Sequence, residues 1–147
     1  MTNVHSSVHV NQPVEKVFDY VTTASNWPKW HPSTVSVSGA VFHPALEGET
    51  IVETVRFGIA RDRFTWKVEE RQSPNRWVIR ATSDRYRQKV RIAYTLTAED
   101  DGTLWKREMC FDIRKSLQLL DKLLFSKLVK KNSETAVRQL KEVMESY

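Results

Sequence analysis

The chain has 147 residues, a length that suits one domain around one sizeable core. An apolar fraction of 40%, a charged fraction of 28% and aromatics spread along the chain exclude a disordered or low-complexity protein. The 23 basic and 18 acidic residues leave a net charge of +5, which permits an anionic partner without demanding one, and the single cysteine, Cys110, excludes an internal disulfide.

Val4, Ser6, Val8 and Val10 alternate with His5, Ser7 and His9, the period of a half-buried strand. Asn11 then offers a cap for a helix with Pro13 near its first position and an apolar stripe of Val14, Val17, Phe18 and Val21. Asn26-Trp27-Pro28-Lys29-Trp30-His31-Pro32-Ser33 follows as a short helical turn that puts Trp27 and Trp30 on one face. From Thr34 to Arg114 nearly everything reads as strand. Val35, Val37 and Val41 alternate with polar residues. Ile51, Glu53, Val55, Phe57 and Ile59 share one parity. So do Phe64, Trp66 and Val68, then Trp77, Ile79 and Ala81. Tyr86, Gln88, Val90, Ile92, Tyr94 and Leu96 make the next run, and Trp105, Arg107, Met109, Phe111 and Ile113 the last. Turns are marked at Leu46-Glu47-Gly48-Glu49, Ser73-Pro74-Asn75-Arg76 and Asp100-Asp101-Gly102. From Ser116 onward there is neither Pro nor Gly, and Leu117, Leu120, Leu124 and Leu128, then Ala136, Leu140, Val143 and Tyr147, recur at helical spacing. A straight helix here would be ~48 Å long, so a bend or break is expected at Lys130-Lys131-Asn132-Ser133.

No repeat and no flexible linker divides the chain, so one unit over 1–147 is expected. No apolar leader opens it. The run Leu117 to Val129 is too short and, with Asp121, Lys122 and Lys127, too charged to span a bilayer. A cytoplasmic protein is the expectation. The strands, joined by short links, read as an antiparallel meander whose apolar face needs the last helix as its cover.

Val10 to Val21, followed by Asn26-Trp27-Pro28-Lys29-Trp30-His31-Pro32, the Gly48 turn and the terminal helix together resemble the START and Bet v 1 superfamily (SRPBCC). More narrowly the chain is similar to its polyketide cyclase/dehydrase and lipid-transport branch. One departure is that Thr22-Thr23-Ala24-Ser25 stands where members often carry an aspartate. The resemblance covers essentially the whole chain. It implies an α+β helix-grip fold, in which a curved antiparallel sheet wraps a long C-terminal helix, with two short helices after the first strand. It also implies a cavity between sheet and helix for a lipid, sterol or polyketide-like molecule.

Four groups of residues bear on function. Polar side chains on apolar parity come first: Glu53, Gln88 and Arg107 point toward the core unless a bulge returns them to solvent. A cavity of at least ~300 Å³ would accommodate them. Its expected walls are Trp27, Val55, Phe57, Phe64, Trp66, Trp77, Ile79, Tyr86, Tyr94, Met109 and Phe111, closed by Leu117, Leu120 and Leu124. His31 stands at its mouth or only at a turn. Second, the histidines lack metal spacing, since His5 and His9 on a strand are ~13 Å apart. Third, no nucleophile elbow or phosphate loop is present, and Cys110 falls on the outer face, so no catalytic residue and no cofactor is assigned. Fourth, Arg85, Arg87, Lys89 and Arg91 alternate outward, opposite Glu108 and Asp112. They make either a solvated, cross-paired face or a surface for an anionic membrane, without any stacking motif for nucleic acid. The expected activity is binding or carriage of a hydrophobic or amphiphilic small molecule. The alternatives are an aromatase/cyclase-type enzyme, or an adaptor for protein, RNA or membrane.

Overall fold

Seven strands form one antiparallel sheet in the order β1-β7-β6-β5-β4-β3-β2. The computed structural model describes the backbone of residues 2–112 and 119–146 and, in the last helix, the side chains of Leu124 and of 126–146. The strands are β1 (Thr2–Val10), β2 (Thr34–Gly39), β3 (Thr50–Phe57), β4 (Ala60–Gln72), β5 (Arg76–Thr82), β6 (Lys89–Glu99) and β7 (Gly102–Asp112). Between β1 and β2 lie α1 (Val14–Thr22), a 3₁₀ turn over Ala24–Asn26 and α2 (Trp27–Trp30). The helix α3 (Leu119–Glu145) closes the described chain. This is the expected helix-grip arrangement of α and β elements. No helix among the described residues is long and apolar enough to cross a membrane.

Period-two apolarity sets the inner face. Ile51, Glu53 and Val55 of β3, Phe64, Trp66 and Val68 of β4, Trp77, Ile79 and Ala81 of β5, and Trp105, Arg107 and Phe111 of β7 are all buried. Bulges do occur, but at Val35 in β2 and Glu69 in β4. Neither displaces the charged residues of β3 or β7, which keep their inward parity. At Gly102 the chain passes so close to β1 that any Cβ would run into the Val10 carbonyl oxygen, so only glycine fits there.

Several local expectations give way to tertiary geometry. Asn11 does not cap α1: Pro13 occupies the cap position, with no side-chain bond to the first turn. A proline there already holds an extended, non-helical φ/ψ, and Asn11 lies two residues too early to take its place. Ile59 is not inward. Gly58, at φ +62, turns β3 into β4 in a two-residue hairpin, and Ile59 stands fully exposed at its tip. Tyr86 lies in the 83–88 loop before β6, half-exposed, and Arg87, at φ +52, lies in the same loop. The basic row is therefore not one strand: only Lys89 and Arg91 belong to β6.

The last helix does not break at Lys130–Ser133 but runs unbroken from Leu119 to Glu145. Its buried stripe is Val129, Ser133, Ala136, Val137, Leu140 and Met144. On an unbroken helix Leu124 lies ~160° around from Leu140 at ~100° per residue. It is accordingly 59% exposed and does not close a cavity. Leu117 and the Leu120 side chain lie outside the described residues. The helix is tied to the grip by polar contacts as well: Gln12 Nε2 donates to the Met144 carbonyl at 2.9 Å and Lys141 Nζ to that of His9 at 2.7 Å.

Candidate functional site

Alternation along three strands brings Glu53, Tyr94 and Arg107 to the middle of the inner face, and α2 and α3 lie over them. Arg107 pairs across the sheet with Tyr94 on one side and Ser6 on the other. Its side chain crosses to the helical layer, where Nη1 donates to Ser133 Oγ at 2.9 Å and Nη2 lies 3.5 Å from His31 Nε2. Its Nε is buried with no hydrogen-bond partner among the described residues. No carboxylate among the described residues lies within ion-pair distance of the guanidinium, and Arg107 is only 4% exposed.

Glu53 is 6% exposed and is held by two donors. Thr34 Oγ1 donates to Oε2 at 2.6 Å, and Trp66 Nε1 to Oε1 at 2.9 Å. Burial raises its pKa above the usual carboxylate value, although those two hydrogen bonds and the positive Arg107 pull the other way. Tyr94 is pushed up to about 12, chiefly by burial. Desolvation, and then the charge of Arg107, pushes His31 down to about 3. His31 is therefore neutral beside a permanent cation.

The aromatic walls are closely packed. Trp27 meets Trp77 edge on with ring centroids 6.2 Å apart, Trp30 meets Trp105 edge on at 5.6 Å, and Phe64 stacks on Trp66 at 5.2 Å. Both indoles of α2 thus pack on the sheet, and Trp27 also donates its Nε1 hydrogen to the Val21 carbonyl at 2.9 Å. Between them remains a cavity of about 20 Å³, lined by Trp27, Trp30, His31, Glu53, Trp66, Ile79, Ile92, Tyr94 and Arg107. That admits about one water molecule. Leu117 and Leu120, expected to close a larger space of ~300 Å³, have side chains outside the described residues.

A family model described as polyketide cyclase/dehydrase and lipid transport matches residues 1–145. The chain belongs to that family. No curated protein matches it in sequence. Among solved structures, a START superfamily protein from Mycobacterium smegmatis superposes with a TM-score of 0.78 at 15% identity, covering 98% of this chain and 97% of that one. A protein from Thermus thermophilus gives 0.82 at 16% identity, covering 99% and 98%. The di-domain ARO/CYC BexL from the BE-7585A biosynthetic pathway gives 0.76 at 16% identity, covering 99% of this chain and 47% of BexL. At these identities the likeness is one of fold.

For this family member, the structure brings six of the candidate residues to one small cavity: Trp27, Glu53, Trp66, Ile79, Tyr94 and Arg107. Val55, Phe64, Trp77 and Phe111 are buried on the same face without lining it, and Phe57 and Met109 pack half-buried against its edge. Gln88 is buried where the 83–88 loop meets β6, its N–H bonded to Ser83 Oγ at 3.0 Å. Tyr86 and Leu124 do not reach the cavity. Ile92 shares the inward parity of Tyr94, and Trp30 the face of Trp27, although neither is among the expected walls, whereas the alternation places Thr34 outward and the helical pattern gives no role to Ser133. Ser133 lies in the polar run of the expected bend or break, and its place on the buried stripe emerges only from the unbroken helix.

The lowered pKa of His31 predicts a pH effect. Below about 6.5 the unfolded chain binds a proton there that the folded protein refuses until about pH 3. Stability is thus fully present above 6.5 and is lost as pH falls. Glu53 acts in the opposite sense, since its raised pKa favours the folded state at lower pH. Relative to His31→Asn, the wild-type protein should lose at most about 1.4 kcal/mol per pH unit on acidification. Urea titrations at neutral pH and at about pH 4 measure the difference. An unchanged difference would mean that folded His31 is protonated like the unfolded residue.

Proposed function

We propose that this protein binds an amphiphilic small molecule between the sheet and its helices, with the anionic head of the ligand on Arg107. The observation that carries this reading is the guanidinium itself, buried and without a carboxylate at ion-pair distance. A desolvated cation costs several kcal/mol unless a counter-charge or hydrogen bonds compensate. Ser133 and the Tyr94 hydroxyl supply hydrogen bonds and neutral His31 a weak contact, while Nε is left over among the described residues. An anionic head satisfies the remaining donors in the bidentate geometry that Arg favours. The aromatic walls around it suit an apolar body.

Two measurements test this. Native mass spectrometry of freshly purified protein should show a co-purifying lipid-like mass. An anthracene carboxylate probe should bind at least about tenfold more tightly than its methyl ester, the size of one charge-assisted hydrogen bond. Equal affinity, or none for either, would overturn the reading.

Glu53 favours a second reading, an enzyme of the aromatase/cyclase type. A buried carboxyl with a raised pKa beside Tyr94 is the kind of group that serves as a general acid or base. Glu53→Gln separates the two. A carrier keeps its affinity for the probe, whereas an enzyme keeps affinity and loses turnover on a polyketide-like substrate.

A further inference from the structure

We propose that the end of the molecule formed by the β3–β4 hairpin and the 83–88 loop docks on an anionic lipid bilayer, with Ile59 as its apolar tip. A single exposed isoleucine is ordinary on a protein surface. This one is unusual in its setting. Immediately behind the tip, Arg56 and Arg61 are direct cross-strand partners, so their side chains leave the hairpin on one face. Like charges directly opposite one another destabilise a sheet, and nothing acidic separates them.

The neighbouring loop adds to the same charge and is fixed in place. Ser83 bridges to Phe64, and the Asp84 N–H donates to the Arg63 carbonyl at 2.9 Å, which lays the loop along the start of β4. The buried Asp62 carboxylate accepts the N–H groups of Arg63 at 2.8 Å, Arg85 at 2.8 Å and Tyr86 at 3.2 Å. Arg85 and Arg87 are thereby presented beside Arg61, both exposed. The acids at this end are already engaged. Asp62 is saturated by backbone donors, and Asp84 is held by Arg63 Nε at 2.9 Å. None of Arg56, Arg61, Arg85 and Arg87 has a carboxylate partner among the described residues.

Four guanidiniums without an ion-pair contact among the described residues, in excess over the single charge of Asp62, lie at the end that carries the protruding Ile59, and together they match the two layers of a membrane surface. The cations meet lipid phosphates in forked hydrogen bonds, and the isoleucine passes between headgroups to the acyl boundary. RNA would use the cations and leave Ile59 without a role. The ring best placed to stack on a base, Tyr86, is already covered by Arg85 at 5.0 Å. The docking surface is separate from the cavity around Arg107 and stands whether or not that cavity takes a ligand.

Co-sedimentation with phosphatidylcholine vesicles, with and without phosphatidylglycerol, tests it on the full chain. Binding is expected only with phosphatidylglycerol and should fall at least about tenfold from low to high salt. Ile59→Asp, and separately Arg56→Gln with Arg61→Gln, should each weaken it about tenfold or more, with thermal unfolding no lower than wild type, because these side chains are exposed and the arginine pair repels itself. Ile59→Trp should shift its emission to the blue on the anionic vesicles and be quenched by brominated acyl chains. Absence of binding to anionic vesicles, or wild-type binding by Ile59→Asp, overturns the proposal. So does an unshifted Ile59→Trp emission accompanied by tight binding of single-stranded RNA, which would assign the arginines to nucleic acid.

Discussion

Replacing Trp77 by alanine is expected to lower folding stability by about 3–5 kcal/mol. The side chain is fully buried on β5 at the point where sheet, α2 and the 40–49 connection converge. Its ring lies edge on to Trp27 at 6.2 Å and tilted against Tyr94 at 5.4 Å. Its Nε1 hydrogen goes to the Ala45 carbonyl at 3.0 Å. Alanine removes all three contacts at once and leaves a void that packed neighbours relax into only partly. Trp77→Phe separates the terms. It retains most of the ring and loses the hydrogen bond, leaving a buried carbonyl unmatched at a cost of about 1–3 kcal/mol. Urea unfolding of both variants measures the two contributions. A Trp77→Ala midpoint close to wild type would mean that α2 does not rest on this indole.

Arg107→Met is expected to move stability and binding in opposite directions. Methionine has a similar length, fills the same path across the inner face and carries no charge to desolvate. No ion-pair contact among the described residues is lost and the cation's desolvation penalty is removed, while Glu53 can take up a proton in place of the lost charge, so stability should be unchanged or higher. Binding of the carboxylate probe should fall by about ten- to a hundredfold, the equivalent of about 1.5–3 kcal/mol for a charge-assisted bond, while the methyl ester should be unaffected. Glu53 should respond as well. Arg107 is one of the influences holding its pKa down against burial, so the variant should raise that pKa further and keep the carboxyl protonated to higher pH. Infrared titration of the carboxyl stretch reads this directly. Equal affinity of both probes for wild type and variant would remove Arg107 from the site.

Much of the fold was legible because it rests on local rules. A strand with one buried face must alternate, so the inward rows from Ile51 to Phe111 could be read residue by residue. The inward placement of Glu53 and Arg107 followed from the same parity, since no bulge falls on β3 or β7 near either residue. The Asp100-Asp101-Gly102 turn was likewise written in its residue types. The basic row failed where its strand gave way to a loop: the Asp62 carboxylate gathers the Arg85 and Tyr86 N–H groups across more than twenty residues, and no local pattern announces a contact of that range.

By itself, then, the sequence determined which face of β3 to β7 is apolar and that Glu53 and Arg107 share it with the aromatics, whereas in β2 the bulge at Val35 turns Thr34 inward and Val35 out. Tertiary structure decided what those charges meet and how much room they have. Helix phase is cumulative, so whether α3 bends at Lys130 decides which residues face the sheet, and the unbroken helix turned Ser133 onto Arg107 and Leu124 out to solvent. Cavity volume depends on how side chains from distant elements interlock. Among the described residues, Trp27, Trp30 and the sheet leave about 20 Å³ beside Arg107, a quantity that no periodicity along one chain encodes.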